Sequence, residues 1–166
     1  MNSIIHVLII EHDTMFCQAI RSEIESAADL AVIGQAQDVQ AALAVTGKKE
    51  PQVVVFGARN LGCPEMRIVS RLCRQYPRSK VMVLSSVDHR DPLVLELFRR
   101  GVYGYLNRHT GTAHDLQEAV RLVAKGKAVL DPQITGWMID ELQRLHWNQN
   151  VGQDLARAKP EASREP

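Results

Sequence analysis

Pro51-Gln52-Val53-Val54-Val55-Phe56-Gly57-Ala58-Arg59-Asn60 is the stretch that decides the fold. Val53 to Phe56 is an unbroken apolar run, too short for a typical helix, and three of its four residues are β-branched. A proline precedes it and a glycine ends it. That pattern predicts a strand buried on both faces, as at the centre of a parallel sheet. In open α/β sheets the chemistry gathers just beyond the C-terminal ends of such strands. The residue in that place is Gly57, which has no side chain.

Outward from this strand, the chain alternates strands and helices. Ile4 to Ile10 is a second apolar, β-branched run, with Glu11-His12-Asp13 at its tip. Asp13 is expected to cap a helix whose stripe is Phe16, Ile20 and Ile24. Leu30 to Ala36 is the next strand, and Asp38 caps a helix closed by Gly47. Past the central strand, Cys63-Pro64 opens a third helix with Met66, Val69, Cys73 and Tyr76 facing inward. Val81 to Leu84 is the fourth strand, ending in Ser85-Ser86. Asp91-Pro92 starts a helix carrying Val94, Leu97 and Phe98, which stops at Gly101. Gly104 to Leu106 is a short fifth strand, followed by Asn107 and Arg108. Thr112 caps a fifth helix with Leu116, Ala119, Val120 and Val123 on its apolar face, and Asp115 at the capping-box position. Asp131-Pro132 opens a sixth helix, to about Trp147, with Ile134, Met138, Leu142 and Leu145 as its stripe. Residues 148–166 are polar and read as a disordered tail or linker. The expected division is 1–130, then a helix over 131–147, then the tail. Five strand–helix units in series imply an α/β sandwich with a parallel sheet and helices on both faces.

The bulk numbers fit a soluble domain. The 166 residues are 45% hydrophobic and 23% charged, with a formal net charge of +1, which gives no whole-chain attraction toward nucleic acid. The three cysteines, Cys17, Cys63 and Cys73, lack zinc spacing. No signal segment precedes the first strand, and no apolar run approaches the roughly 20 residues of a membrane helix. The expectation is a cytoplasmic location with free thiols and no membrane association.

From Ile5 to Leu145 the order of elements resembles a response-regulator receiver domain of the NarL/FixJ-like type. The stretches that carry the likeness are Val7 to Asp13, Pro51 to Phe56, Lys80 to Ser85, Gly101 to Leu106 and Ala113 to Pro132. The resemblance implies a flavodoxin-like (βα)5 fold with strand order 2-1-3-4-5. It also implies a phosphoryl site: an acid pair after the first strand and an aspartate after the third that hold Mg²⁺, with that aspartate as phosphoacceptor. A hydroxyl after the fourth strand, an aromatic in the fifth and a lysine after it complete the set. Carried over by position, the acid pair becomes Glu11 and His12, the acceptor becomes Gly57, the hydroxyl is Ser85, the aromatic is Tyr105 and the lysine becomes Arg108.

These substitutions remove the expected chemistry. Acceptor phosphorylation is nucleophilic catalysis by a carboxylate oxygen, and Gly57 supplies none. Mg²⁺ takes oxygen ligands, one or two of them carboxylates, whereas His12 offers an imidazole better suited to transition metals. Arg108 carries a planar fork instead of a mobile ammonium. Three acids and a lysine would leave the pocket near −2; Glu11 with Arg108 and neutral His12 come close to zero. Two arrangements follow: Glu11 and Arg108 pair and fill the cleft, or Arg108 points to solvent. The expectation is a pseudo-receiver, a signalling module that is not an enzyme and takes no metal or cofactor.

Other residues have milder readings. Cys63 at a helix start could sense redox state but is more simply a loop residue. His12 reads as a loop-cap residue before a metal ligand or phosphohistidine, and Asp88 lacks a metal partner. Arg99, Arg100, Arg108, His109 and Arg121 are expected near the fourth and fifth helices. With Tyr105, Arg99, Arg100 and Arg121 form a candidate interaction face for a protein partner, an acidic one included, or for a homodimer. The family's helix-turn-helix has no counterpart here, so direct DNA binding by this chain is not expected. One alternative is the regulatory part of a longer DNA-binding regulator. Another is a small-ligand-binding flavodoxin-like protein, although Glu11-His12-Asp13-Thr14-Met15 does not resemble a cofactor-phosphate loop.

Overall fold

The computed structural model describes residues 3–46, 50–88, 90–109, 113–130, 132 and 134–144. Among the described residues of the unit Met1–Asp131, six strands and five helices alternate. They are β1 (Ile5–Ile10), α1 (Thr14–Glu25), β2 (Leu30–Ala36), α2 (Val39–Thr46), β3 (Val53–Ala58), α3 (Cys63–Gln75), β4 (Lys80–Ser85), α4 (Pro92–Arg99), β5 (Val102–Asn107), α5 (Ala113–Ala124) and β6 (Val129–Leu130). The sheet is parallel, in the order β2-β1-β3-β4-β5-β6. The expected order of five strands holds. The sixth strand is an addition: two residues pair with Gly104 and Tyr105, too short a run to show a period of its own.

β3 sits at the centre, and Val53, Val54 and Val55 have no exposed surface. It runs past the expected end at Phe56, because Gly57 and Ala58 continue the ladder opposite Leu84 and Ser85. Gly57 therefore lies inside the strand rather than beyond it. On one face of the sheet, Val7, Ile9, Val53, Val55 and Met82 pack with Cys17, Ile20 and Ile24 of α1 and with Leu116, Ala119, Val120 and Val123 of α5. Helices α2, α3 and α4 neighbour one another in series along the sheet. Gly104 lets α5 close on β5: a methyl there would lie 3.0 Å from the Met82 Cβ and 3.1 Å from a Val123 methyl.

The caps follow their residue types. Asp13 accepts from the Met15 and Phe16 amides at 3.0 and 3.1 Å. Asp38 accepts from the Ala41 amide, and Asp91 from the Leu93 amide. These bonds occupy backbone donors that a helix start leaves without partners. Gly101, at φ +100°, ends α4 in the left-handed region. The expected caps Gly47, Thr112 and Asp131, with Leu145, Trp147 and the tail, lie outside the described residues. By itself, the unit Pro132–Pro166 contains a helix over 134–144, in which Leu142 is exposed rather than part of a buried stripe. No helix among the described residues is long and apolar enough to cross a membrane.

The inward face of α3 differs from expectation in one residue. Leu72 is fully buried with Met66 and Val69, whereas Cys73 is only half-buried. We expect Leu72→Ala to lower stability by about 2–5 kcal/mol and Cys73→Ala by about 1 kcal/mol or less. Urea unfolding midpoints check the contrast.

Candidate functional site

β1, β3, β4 and β5 end side by side, and their tips bring together Glu11, Gly57, Ser85 and Arg108. Glu11 is 3% exposed. Its Oε1 accepts from the Asp13 amide at 2.8 Å, and its Oε2 accepts from Nη2 of Arg108. The Arg108 side chain is 7% exposed. Its guanidinium carbon lies 3.8 Å from the centroid of the Phe16 ring, a stacking geometry suited to a planar cation. Phe16 is half-buried and forms one wall of the arginine's seat. The backbone amide of Arg108 donates to the Ser85 carbonyl at 3.0 Å, which fixes where its side chain starts.

The space at Gly57 is already filled. A methyl carbon added there would overlap the Glu11 carboxylate, with the carboxyl carbon 2.8 Å away and Arg108 Nη2 at 3.2 Å. Thus Glu11 stands where a side chain at position 57 would begin. Of the two arrangements the sequence leaves open, the paired one is found.

A second acidic residue is neutralised nearby. Arg59, on the turn after β3, donates from Nη2 to Asp13 Oδ2 at 2.7 Å. This pair and the helix amides hold the Asp13 carboxyl below its ordinary value, the Phe16 amide having the largest effect. The sequence reading missed Arg59; its signal was a cation two residues past the empty acceptor position. His12 is exposed.

This donor set does not fit Mg²⁺. Position 57 has no ligand, both Glu11 oxygens are engaged, and Asp13 is committed to amides and to Arg59. Among the described residues no group of three or more His, Cys, Asp and Glu side chains is placed to hold a metal.

Ser85 is fully buried, and its Oγ accepts from the Val87 amide at 3.3 Å. Tyr105 is also fully buried, and its hydroxyl donates to the Val87 carbonyl at 3.0 Å. Tyr105 is therefore an internal side chain that clasps the loop after β4, and the expectation of a surface contact is corrected. The candidate arginines do not form one cluster. Arg121 grips Asp29 with two bonds of 2.7 and 2.8 Å, and so belongs to the contact between α5 and the turn before β2. Arg100 bonds Ser70 at 2.7 Å and pairs with Glu96 at 2.9 Å. Arg99 remains largely exposed, with Glu96 3.8 Å away, and His109 is exposed. Cys63 is exposed, Cys17 buried and Cys73 half-buried. Burial pushes the Cys17 thiol up, assisted by the nearby Glu11 charge, and burial also raises Cys73.

The chain is 28% identical over 141 residues to the transcriptional regulatory protein DegU of Brevibacillus brevis, covering 85% of this chain and 59% of DegU. It is 25% identical over 158 residues to the transcriptional regulatory protein LiaR of Bacillus subtilis, covering 95% and 74%. Among solved structures, a LuxR-family two-component response regulator from Aurantimonas sp. SI85-9A1 superposes with a TM-score of 0.72 at 17% identity, covering 84% of this chain and 98% of that one. The chain has the receiver fold, and in sequence it is similar to response regulators. No family model matches it. The receiver spans about three fifths of DegU and of several other curated relatives that it matches.

Two predictions follow from the receiver's geometry. Gly57→Ala displaces the Glu11 carboxylate and strands Arg108. We expect a loss of about 3 kcal/mol, at the lower end of the cost of breaking a buried pair, read from chemical unfolding. The second concerns acid. Arg121 holds the Asp29 carboxyl below its ordinary value of 3.8. A depressed folded-state pKa contributes stability above the unfolded value, and that stability is lost as pH falls through the folded one. The parent should therefore lose more stability than Arg121→Ala on acidification below about pH 4, measured by urea midpoints across pH.

Proposed function

We propose that this receiver is a pseudo-receiver: an interaction module of two-component or transcriptional regulation that works without aspartyl phosphorylation. One observation carries the reading. The Glu11 carboxylate occupies the space at Gly57 while bound to Arg108, so the acceptor is missing and its place is taken. In a working receiver a phosphoryl group biases the hydroxyl, the cation and the aromatic between two arrangements, a population shift driven by a ligand. Without that ligand the equilibrium is set by the sequence. The Glu11–Arg108 pair and the Tyr105–Val87 bond favour one arrangement. Output then runs through protein contact at the surface of α4, β5 and α5, where Arg99 is the freest of the arginines considered. No catalytic turnover and no cofactor are part of this reading.

A second reading has support in the relatives' names. DegU and LiaR are transcriptional regulatory proteins, so the receiver could serve as the regulatory part of a DNA-binding protein. The mass of the native polypeptide in cells, detected with an antibody to the receiver, separates the two readings.

Incubation with a small phosphodonor and Mg²⁺ should leave the intact mass unchanged. A stoichiometric, hydroxylamine-labile adduct would contradict the pseudo-receiver, and peptide mapping would locate the acid that replaced Gly57. Gly57→Asp alone should not bring tight Mg²⁺ binding, because His12 still holds a ligand position and Arg108 competes for the new carboxylate. Adding His12→Asp should improve binding in a Mg²⁺ titration, and equal, strong binding by the single variant would exonerate His12.

A further inference from the structure

The outer face of α3 carries a row of arginines. Arg67, Arg71 and Arg74 follow one another at helical spacing, and Arg78 continues the row past the helix end. At 3.6 residues per turn the three on the helix fall within about 60° of its circumference, opposite the buried Met66, Val69 and Leu72. All four are exposed. Among the described residues none of the four pairs with an acid, whereas Arg21, Arg59, Arg99, Arg100, Arg108 and Arg121 each do. The whole chain is formally +1, so this row is a segregated positive charge. It is also purely arginine. Lysine serves as well for solubility, whereas arginine's planar fork suits carboxylates and is enriched at protein interfaces.

A groove lies beside the row. It is a cavity of about 260 Å³ where α2 meets α3, lined by Asp38, Val39, Gln40, Arg67, Ile68 and Arg71. Val39 and Ile68 are its apolar members. Arg71 crosses to α2 through a 3.1 Å bond from Nη2 to Gln40 Oε1, which leaves its other guanidinium donors for a ligand. Leu43, one turn past Gln40 on α2, is exposed as well. Asp38 is turned to the Ala41 amide as a cap, at 2.8 Å. Apolar surface bordered by a row of cations fits a segment that carries carboxylates and apolar side chains at helical spacing. It fits a nucleic acid less well. Phosphates would leave the groove and Leu43 uncovered, and neither α2 nor α3 contains an aromatic residue on which a base could stack.

We propose that the seam between α2 and α3 is a docking surface for an acidic amphipathic helix of a partner protein. The carboxylates of that helix meet Arg67, Arg71 and Arg74, and its apolar side chains cover Leu43, Ile68 and the groove. None of these residues belongs to the Glu11–Arg108 site or to the surface of α4, β5 and α5. The proposal therefore stands whether or not the receiver takes a phosphoryl group: an acyl-phosphate adduct would remove the pseudo-receiver reading and leave this surface in place.

The probe is a synthetic peptide of about 20 residues, long enough to hold a helix, with leucines at i, i+3, i+4 and i+7 spacing and glutamates on the flanks. The controls are a peptide of the same composition in scrambled order, a short DNA duplex and a short single-stranded RNA. The isotope-labelled full chain is titrated with each. The backbone amides of Leu43 and Ile68 and the Nε–H signals of Arg67, Arg71 and Arg74 are followed by NMR. The amphipathic peptide should give saturable shifts on α2 and α3 with a Kd below about 1 mM. The scrambled peptide, which matches the charge without the apolar stripe, should bind about tenfold more weakly. Arg71→Glu combined with Arg74→Glu should weaken binding about tenfold or more. Ile68→Ser tests the groove separately from the row and should also weaken it, whereas Lys127→Glu should leave it unchanged. Retained dispersion of the spectrum confirms that each variant is folded. No saturable shift with the amphipathic peptide, equal binding by the scrambled one, tighter binding of the duplex or the RNA, or binding unchanged in both the arginine and the Ile68 variants would overturn the proposal.

Discussion

A carboxylate and a guanidinium buried together tolerate few arrangements, and the Glu11–Arg108 pair dictates how the sheet's C-terminal edge is built. Taking both charges out of water is costly, and their attraction offsets that cost only with good geometry and with the remaining polar atoms satisfied. The receiver meets most of that condition. The Asp13 amide takes the second Glu11 oxygen, and Phe16 covers the guanidinium face. The Arg108 Nε remains without a partner among the described residues. Gly57 is part of the same solution, since any side chain there would collide with the carboxylate. The glycine at position 57 and the ion pair beside it are one structural fact.

The same logic extends to the neighbouring charges. Asp13 faces Arg59 in the same way. Each acid at the tip of β1 thus has its own arginine, one buried and one largely exposed. The exposed pair contributes little to stability by itself, but it keeps Asp13 committed. Ser85 and Tyr105 meet at the two polar atoms of one residue, Val87. The hydroxyl and the aromatic are both tied to the loop after β4.

Much of this was legible in the sequence. β-branched runs bounded by proline and glycine placed β3, and alternation with amphipathic helices led to the strand order. Asp13, Asp38 and Asp91 were readable as caps because a short acceptor before an apolar period has few other uses. The Glu11–Arg108 pair was open to charge counting, although the rotamers were not. What escaped depended on tertiary placement. β6 is too short to show periodicity, and Gly57 belongs to β3 only because Leu84 lies opposite it in register. The choice of Leu72 over Cys73 turns on the rotation of α3 against the sheet. Tyr105 could point either way from a strand near the sheet edge, and it lies buried with its hydroxyl on the Val87 carbonyl. Arg121 looked like a surface cation because Asp29 lies 92 residues away in the chain.

The most direct measurement is a double-mutant cycle on the pair. Glu11→Gln and Arg108→Met each remove one charge and leave the other buried, while the double variant removes both. If the ion pair organises the site, each single change costs roughly 3–5 kcal/mol. The double variant should then lose less than the sum, with a coupling of about 2 kcal/mol or more in favour of the pair. Losses that add to within about 0.5 kcal/mol would show that the two side chains act independently, and the account of a receiver closed by its own ion pair would be contradicted.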